Sequence, residues 1–268
     1  MMKTIFITGA SAGLGKATAK LFAARGWKVI ATMRNPEKET ELNQLAEVML
    51  LPLDVTHAEQ ISSAVQLACE HGQIDVVFNN AGYGLMGALE ATSMDKISNQ
   101  IHTNLLGPIQ IMKEFIPHFR ANNGGIFINT TSIGGLLSFP FSSVYHATKW
   151  GMEGFSESMT YELAQFGIQV KTVAPGGIAT DYSRRSISLN HHEAYEKNFE
   201  KMLNMLDGEG GSRFSSAAEI AEVVYQAATD KKDQLRYIAG PDAIQLYENR
   251  LKAGAENFRI EMGKMLLS

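Results

Sequence analysis

Short, almost unbroken runs of β-branched and apolar residues recur along the chain, at 3–8, 28–33, 48–51, 74–79, 125–131, 169–174 and 235–239. A strand with one wet face alternates apolar with polar positions. Continuous hydrophobicity suits strands covered on both faces, as in a parallel sheet between two layers of helices. Between these runs lie segments of helical spacing near 13–25, 37–46, 57–71, 93–121, 143–166, 190–206 and 216–230. Alternating β and α elements of this length predict an α/β fold, a doubly wound, seven-stranded parallel sheet with helices on both faces. No internal repeat, low-complexity tract or linker divides the 268 residues, so one domain over 1–268 is expected.

One stretch, 176–215, breaks the alternation. It carries Tyr195, Phe199, Met202, Leu203 and Leu206 on one helical stripe. It follows the carboxyl end of a strand, where open α/β sheets bind ligands. A substrate lid around 177–215 is one reading, and a helix covering the sheet edge is the other. The tail 241–268 ends in Met265-Leu266-Leu267, an apolar tip suited to docking on another subunit. Ala147, Gly151, Gly154 and Ser158 are small residues that would permit close helix approach. Both features suit a homo-oligomer.

Composition narrows the field. With 24 basic and 28 acidic residues the formal charge is −4, which speaks against a polybasic nucleic-acid or membrane binder. No apolar run approaches the ~18 residues of a membrane span. Cys69 is the only cysteine, so a disulfide framework and a cysteine metal site are excluded. No metal is expected. With no signal-type stretch near Lys3, the expected compartment is the cytoplasm.

The first strand runs into Thr8-Gly9-Ala10-Ser11-Ala12-Gly13-Leu14-Gly15 and then a helix. A tight turn and close approach of a diphosphate both need residues without a Cβ, and the helix N-terminus offers unpaired N–H groups to phosphate. The second strand ends in Ala31-Thr32-Met33-Arg34-Asn35, with no carboxylate until Glu37. A site preferring NAD would place Asp or Glu there for the ribose 2′-hydroxyl. Arg34 instead suits a 2′-phosphate, so NADP(H) is expected over NAD(H). A solvated arginine is the bland alternative.

Tyr145 and Lys149 are four residues apart on one helical face. Ser132 follows the fifth strand, at the carboxyl edge of the sheet. An ammonium near a phenol favours its phenolate, and moving a tyrosine from ~10 to about 7 takes ~4 kcal/mol. The trio suits carbonyl reduction, with Tyr145 transferring the proton and Ser132 holding the oxygen.

Thr8–Gly15, the run Asn79-Asn80-Ala81-Gly82, Ser132, Tyr145-His146-Ala147-Thr148-Lys149 and Pro175-Gly176, in that order, resemble the short-chain dehydrogenase/reductase family. The G-x-x-x-G-x-G form is similar to its compact oxidoreductase branch. The resemblance implies a Rossmann-type sheet and a catalytic set of Asn104, Ser132, Tyr145 and Lys149. It implies cofactor contacts from Gly9, Ser11, Gly13, Leu14 and Gly15, from Arg34 and Asn35, and from Asp54 and Val55 beside the adenine. Further contacts would come from Asn80, Ala81 and Gly82, from Tyr145 and Lys149 at the nicotinamide ribose, and from Pro175, Gly176, Ile178 and Thr180. It also implies that the Asn104 backbone carbonyl holds a relay water. The sequence adds a reason: Pro108, four residues on, has no N–H to bond that carbonyl.

The expected activity is hydride transfer between NADP(H) and a carbonyl or alcohol, catalysed by a cytoplasmic homo-oligomer. Tyr83, Gly84, Leu85, Ile133, Phe139, Phe141 and Tyr182 would form the pocket, suggesting an apolar substrate. A non-catalytic NADP(H)-binding sensor is one alternative, and an epimerase or lyase with bound nicotinamide another. His191 and His192 are adjacent and cannot share a helical face as a metal pair. His146 points about 100° from Tyr145 around the helix, which suits packing or pocket lining. Arg184-Arg185 would attract an anion or be solvated.

Overall fold

The computed structural model describes residues 2–179, 187–207 and 214–267. Seven parallel strands, β1 (Thr4–Thr8), β2 (Lys28–Met33), β3 (Val48–Pro52), β4 (Val76–Asn79), β6 (Gly125–Thr130), β7 (Ile168–Pro175) and β9 (Arg236–Ala239), form one sheet. Their order is β3-β2-β1-β4-β6-β7-β9. The Rossmann-type fold expected from the apolar runs is the one observed. Alternate side chains of the buried strands feed two cores. Ile5 and Ile7 pack with Phe22 of α1 (Gly13–Ala24) and with Ile220 and Val224 of α7 (Ala217–Thr229). Phe6 and Phe127 pack on the other face with Ile61 of α2 (Ala58–Glu70) and with Phe115 and Phe119 of α4 (Gly107–Ala121). Residues of α5 (Ser143–Leu163) close that face.

Three local expectations are corrected. The segment 37–46 forms two short 3₁₀ turns, Pro36–Lys38 and Leu42–Gln44, instead of a helix. The Glu39 carboxylate accepts the backbone N–H groups of Glu41 and Leu42, a local competitor of the helical ladder. The segment 93–121 is not one uniform helix: α3 (Met94–Ile101) passes through a π-helical turn, His102–Leu106, into α4. The segment 190–206 is a helix only over α6 (Glu196–Asp207), preceded by the 3₁₀ turn Glu193–Tyr195.

A second, two-stranded sheet was not foreseen. β5 (Gly84–Gly87) pairs in parallel with β8 (Ile187–Asn190), about a hundred residues away. Gly87 has φ +138°, and a Cβ there would collide with the Asn190 carbonyl oxygen. The buried Asn190 side chain closes the joint. Its amide donates to the Met86 carbonyl at 3.2 Å and its oxygen accepts from Lys96 Nζ at 2.6 Å. Phe199 and Met202 of α6 bury against Met86, Phe139 and Phe141. Phe199, Met202 and Leu203 of the predicted stripe face this cluster, Tyr195 is exposed, and the side chain of Leu206 lies outside the described residues. The tail helices α8 (Pro241–Ala253) and α9 (Ala255–Leu267) pack on their own chain, where Ala243 and Phe258 meet Ile133 and Leu137.

Candidate active site

The chain winds β1 to β3 in one direction and β4 to β9 in the other, so the order reverses between β1 and β4. Beyond the carboxyl ends of that pair lies the crevice where such sheets take ligands. The glycine turn after β1 and the Asn80–Gly82 turn after β4 face each other across it. Thr8 Oγ1 accepts the N–H groups of Asn80 and Ala81, both at 3.0 Å. Asn80 Nδ2 returns bonds to the carbonyls of Thr8 at 2.9 Å and Gly9 at 3.2 Å. A Cβ at Gly15 would collide with the Gly9 carbonyl oxygen, so only glycine lets α1 begin this close to the turn. Ala12, the N-cap of α1, provides no side-chain hydrogen bond, and the first turn holds no acidic residue. The first N–H groups of α1 therefore lack a side-chain cap and suit a phosphate. Ser11 is exposed beside them, whereas the Leu14 side chain is buried in the core.

At the end of β2, Arg34 and Asn35 are exposed. Asp54 accepts the N–H of Thr56 at 3.0 Å and its hydroxyl at 2.7 Å. These bonds, with His57 and Arg34 nearby, hold its carboxyl below the usual range against the opposing effect of burial. Val55 is buried next to it. The arginine and the carboxylate thus flank one rim of the crevice.

Ser132 caps the 3₁₀ turn Ile133–Gly135, and its Oγ accepts the Gly134 N–H at 3.0 Å. The same hydroxyl is 3.5 Å from the Pro175 carbonyl at the end of β7, and it lies close enough to the Tyr145 phenol to lower that group's proton affinity. Lys149 is buried, donates to the Thr130 carbonyl at 2.8 Å, and has Nζ 5.8 Å from the Tyr145 ring centre. Burial pulls Lys149 down to about 8 despite the opposing charge of Glu153 one turn on. Burial also pushes the Tyr145 phenol above its ordinary value, while the Ser132 hydroxyl draws it back. The structure brings Ser132, Tyr145 and Lys149 together at the carboxyl edge of the sheet, and burial is the largest influence on the phenol.

Asn104 is buried in the π-helical turn. Its side chain accepts the Tyr83 N–H at 3.1 Å and donates to the Tyr83 carbonyl at 2.9 Å. A Cβ placed on Gly82 would lie 3.2 Å from Asn104 Oδ1 and 3.8 Å from Lys149 Nζ, so these three residues form one wall. The Gly107 N–H bonds the His102 carbonyl five residues back, and Pro108 supplies none to Asn104. The widened turn sits where the missing donor would leave the ladder short.

On the opposite wall, Gly176 N–H bonds the Ala239 carbonyl, and Ile178 bridges Ser215. Asp242, in the first turn of α8, accepts the Gly177 N–H at 2.7 Å. Sequence reading missed Asp242. The Gly240-Pro241-Asp242 run signals a helix start, but nothing local points to a partner 65 residues away. Thr180, Tyr182, Arg184 and Arg185 lie outside the described residues. Of the other pocket candidates, Leu85 is buried and Phe139 and Phe141 sit against Met86 and Phe199. Ile133 is buried against the tail helices. His191 pairs with Glu196 at 3.0 Å, and His192 accepts the Ala194 N–H, which accounts for both. Among the described residues no cluster of three or more His, Cys, Asp or Glu could hold a metal, and no helix is long and apolar enough to cross a membrane.

Residues 3–190 match the short chain dehydrogenase family model. An oxidoreductase of Botryotinia fuckeliana is 37% identical over 250 residues, covering 91% of each chain. The 3-ketodihydrosphingosine reductase of Bacteroides thetaiotaomicron is 36% identical over 209 residues, 76% of each chain. A short-chain dehydrogenase from Streptomyces avermitilis superimposes with a TM-score of 0.87 at 29% identity, covering 98% of this chain and 96% of that one. Solved neighbours include complexes with NADP and with NAD. The protein belongs to the short-chain dehydrogenase/reductase family of oxidoreductases, and its crevice is that of a nicotinamide-dependent fold.

Proposed function

We propose that this chain passes hydride between NADP(H) and a carbonyl or alcohol group on an apolar substrate, with Tyr145 carrying the proton. The observation behind this reading is the grouping of Ser132, Tyr145 and the buried Lys149 at the carboxyl edge of the sheet, with Lys149 Nζ 5.8 Å from the Tyr145 ring centre and Ser132 on the turn that Tyr145 packs against. A nicotinamide bound at that edge supplies or accepts the hydride. Ser132 holds the substrate oxygen, and Tyr145 delivers its proton to that oxygen in reduction. Burial keeps the phenol protonated, which suits it as a donor. Oxidation of an alcohol needs the phenolate instead, which a charged Lys149 favours.

The glycine turn from Gly9 to Gly15, with Ser11, Gly13 and Leu14, holds the diphosphate at the uncapped start of α1. Arg34 and Asn35 take the 2′-phosphate, and Asp54 and Val55 flank the adenine. Asn80, Ala81 and Gly82 line the ribose side. Pro175, Gly176 and Ile178 face the carboxamide, and the Asn104 carbonyl holds a relay water. The NADP(H) preference is supported by the exposed arginine at the end of β2 together with the missing carboxylate. The apolar substrate is supported by the half-buried Phe139 and Phe141, both on the segment between Ser132 and Tyr145. The Bacteroides relative is, by its name, a reductase of 3-ketodihydrosphingosine. The exposed Trp150 and Tyr161 and the open space at Gly154, all on α5, support a homo-oligomer, which light scattering would measure.

The test is NADPH consumption across ketones and aldehydes of graded alkyl length, for wild type and Tyr145→Phe. Wild type is expected to turn over the longer apolar carbonyls, and the variant to lose about 10²–10⁴-fold. Equal rates with intact NADPH binding would mark a dinucleotide sensor. Substrate conversion without net cofactor change would mark an epimerase or lyase.

A further inference from the structure

His146 follows Tyr145 on α5 and is buried, with 6% of its surface exposed. Two backbone groups claim its ring. Nδ1 lies 2.6 Å from the Gly134 carbonyl oxygen, which can only accept. Nε2 lies 2.8 Å from the Phe139 backbone N–H, which can only donate. The contacts therefore demand one state: a neutral imidazole with its proton on Nδ1 and a lone pair on Nε2. Burial acts in the same direction, holding the ring below the ordinary histidine range.

What the ring joins is specific. The Gly134 carbonyl belongs to the residue whose N–H bonds Ser132 Oγ at 3.0 Å. One bond thus runs from Ser132 to Gly134, the next from Gly134 to His146, and the next residue back along the helix is Tyr145. The other nitrogen holds Phe139, which packs between the Met86–Phe199 cluster and the Ile133–Leu137 cluster. The approach is close: a Cβ on Gly134 would lie 3.0 Å from His146 Cε1 and 3.3 Å from Tyr145 Cε1. The His146 ring centre is 5.9 Å from those of both Tyr145 and Phe139. A histidine at this place does more than fill space, since an apolar residue would leave the Gly134 carbonyl and the Phe139 N–H without these partners.

We propose that His146 is a positioning residue: as the Nδ1–H tautomer it ties the loop between Ser132 and Phe139 to the helix of Tyr145. The Gly134 bond sets the distance of the Ser132 hydroxyl from the Tyr145 phenol, and the Phe139 bond sets the apolar wall beside them. The two nitrogens divide the work, one serving proton transfer and the other substrate binding. The kinetic part of this proposal rests on the reductase reading above, whereas the tautomer and the Ser132–Tyr145 distance do not.

Asparagine places an amide N–H where Nδ1 lies, and glutamine places an amide oxygen where Nε2 lies. His146→Asn therefore keeps the Gly134 bond and loses the Phe139 bond, and His146→Gln does the reverse. In the NADPH assay, His146→Gln is expected to lose about 10–100-fold in kcat with little change in KM, as a displaced catalytic group would. His146→Asn is expected to raise KM several-fold for the longest alkyl ketones and to keep kcat within a few-fold. Two measurements on the free protein need no turnover. Imidazole ¹⁵N NMR of the wild type is expected to show Nδ1–H and a bare Nε2 at neutral pH. Tyr145, followed by ¹³Cζ-tyrosine NMR through alkaline pH, is expected to titrate higher in His146→Gln than in wild type, because the Ser132 hydroxyl that lowers it is no longer held near the phenol. It should be unmoved in His146→Asn. An Nε2–H tautomer, or a Tyr145 titration identical in wild type and His146→Gln, overturns the proposal. So does a parallel loss of kcat and KM in the two folded variants. If the wild type shows no turnover while the NMR results hold, the positioning role stands and the reductase reading falls.

Discussion

The ammonium of Lys149 donates to the backbone carbonyl of Thr130 at 2.8 Å, which fastens the buried charge beside the crevice to the last residue of the strand leading to Ser132. The cost of that burial is measurable. Lys149 titrates at about 8 in the folded chain against an ordinary 10.5, so below pH 8 both states carry the proton and the full penalty is present. Between pH 8 and 10.5 the unfolded chain holds a proton that the folded chain has released, and stability rises with pH. Relative to Lys149→Met, the wild type should gain up to about 3 kcal/mol across that window. Denaturant unfolding of both at pH 7.5 and 10.5 measures it, and a constant gap would contradict the assignment.

Gly15→Ala forces a methyl group against the Gly9 carbonyl and the Asn80 amide that ties the two turns together. The expected outcome is a loss of about 1–3 kcal/mol in unfolding free energy, as for other overpacked sites. NADPH affinity, read by fluorescence, should fall further than stability does, because the turn that moves is the one proposed to hold the diphosphate.

Arg34→Ala should separate the two dinucleotides. A charge-assisted bond to a 2′-phosphate is worth roughly 1.5–3 kcal/mol, so NADPH should bind on the order of ten- to a hundredfold more weakly while NADH is unchanged. Equal losses in a direct binding titration would remove the arginine from the 2′ position.

Pro108→Ala returns an N–H to the residue four beyond Asn104. The helical bond then competes for the carbonyl proposed to hold a relay water, and the widened turn His102–Leu106 should tighten. The expected result is slower turnover with KM held, in a protein at least as stable as wild type. Unchanged kcat together with a narrowed turn in a crystal structure of the variant would refute the relay assignment.

Arg236→Ala tests the sheet edge behind the helix of Tyr145. Arg236 Nε donates to the buried Glu153 carboxylate at 2.8 Å, and its other arm reaches Glu157. Removing it leaves Glu153 with only a 3.5 Å contact from Thr172 among the described bonds. Because Arg236 is itself 35% exposed, solvent can partly replace it, and losing its charged bond to Glu153 should cost about 1–3 kcal/mol. Chemical denaturation should show that loss, and Arg236→Ala with Glu153→Leu should recover most of it.

Much of this molecule was legible in local order along the chain. Seven continuous apolar runs indicate strands buried on both faces, because a residue's hydrophobicity is its own property whatever it later touches. The i, i+4 spacing of Tyr145 and Lys149 fixes their common face through helix geometry alone. Glycine at position 15 and proline at 108 likewise act through their own covalent structure.

Tertiary structure decided what depends on partners distant in sequence. β5 and β8 are four residues each and lack a periodic signature, and they exist because Gly87 lets the Asn190 backbone approach. The helix expected over 37–46 gave way to bonds from the Glu39 side chain. The phenol of Tyr145 is raised by the desolvation that the folded chain imposes and lowered by Ser132, a residue thirteen positions away. His146 acquired its two backbone partners only when the Ser132–Phe139 loop folded onto α5. Composition and spacing specify which groups a chain possesses. Which of them lose water, and against what, is settled only when separate segments close around them.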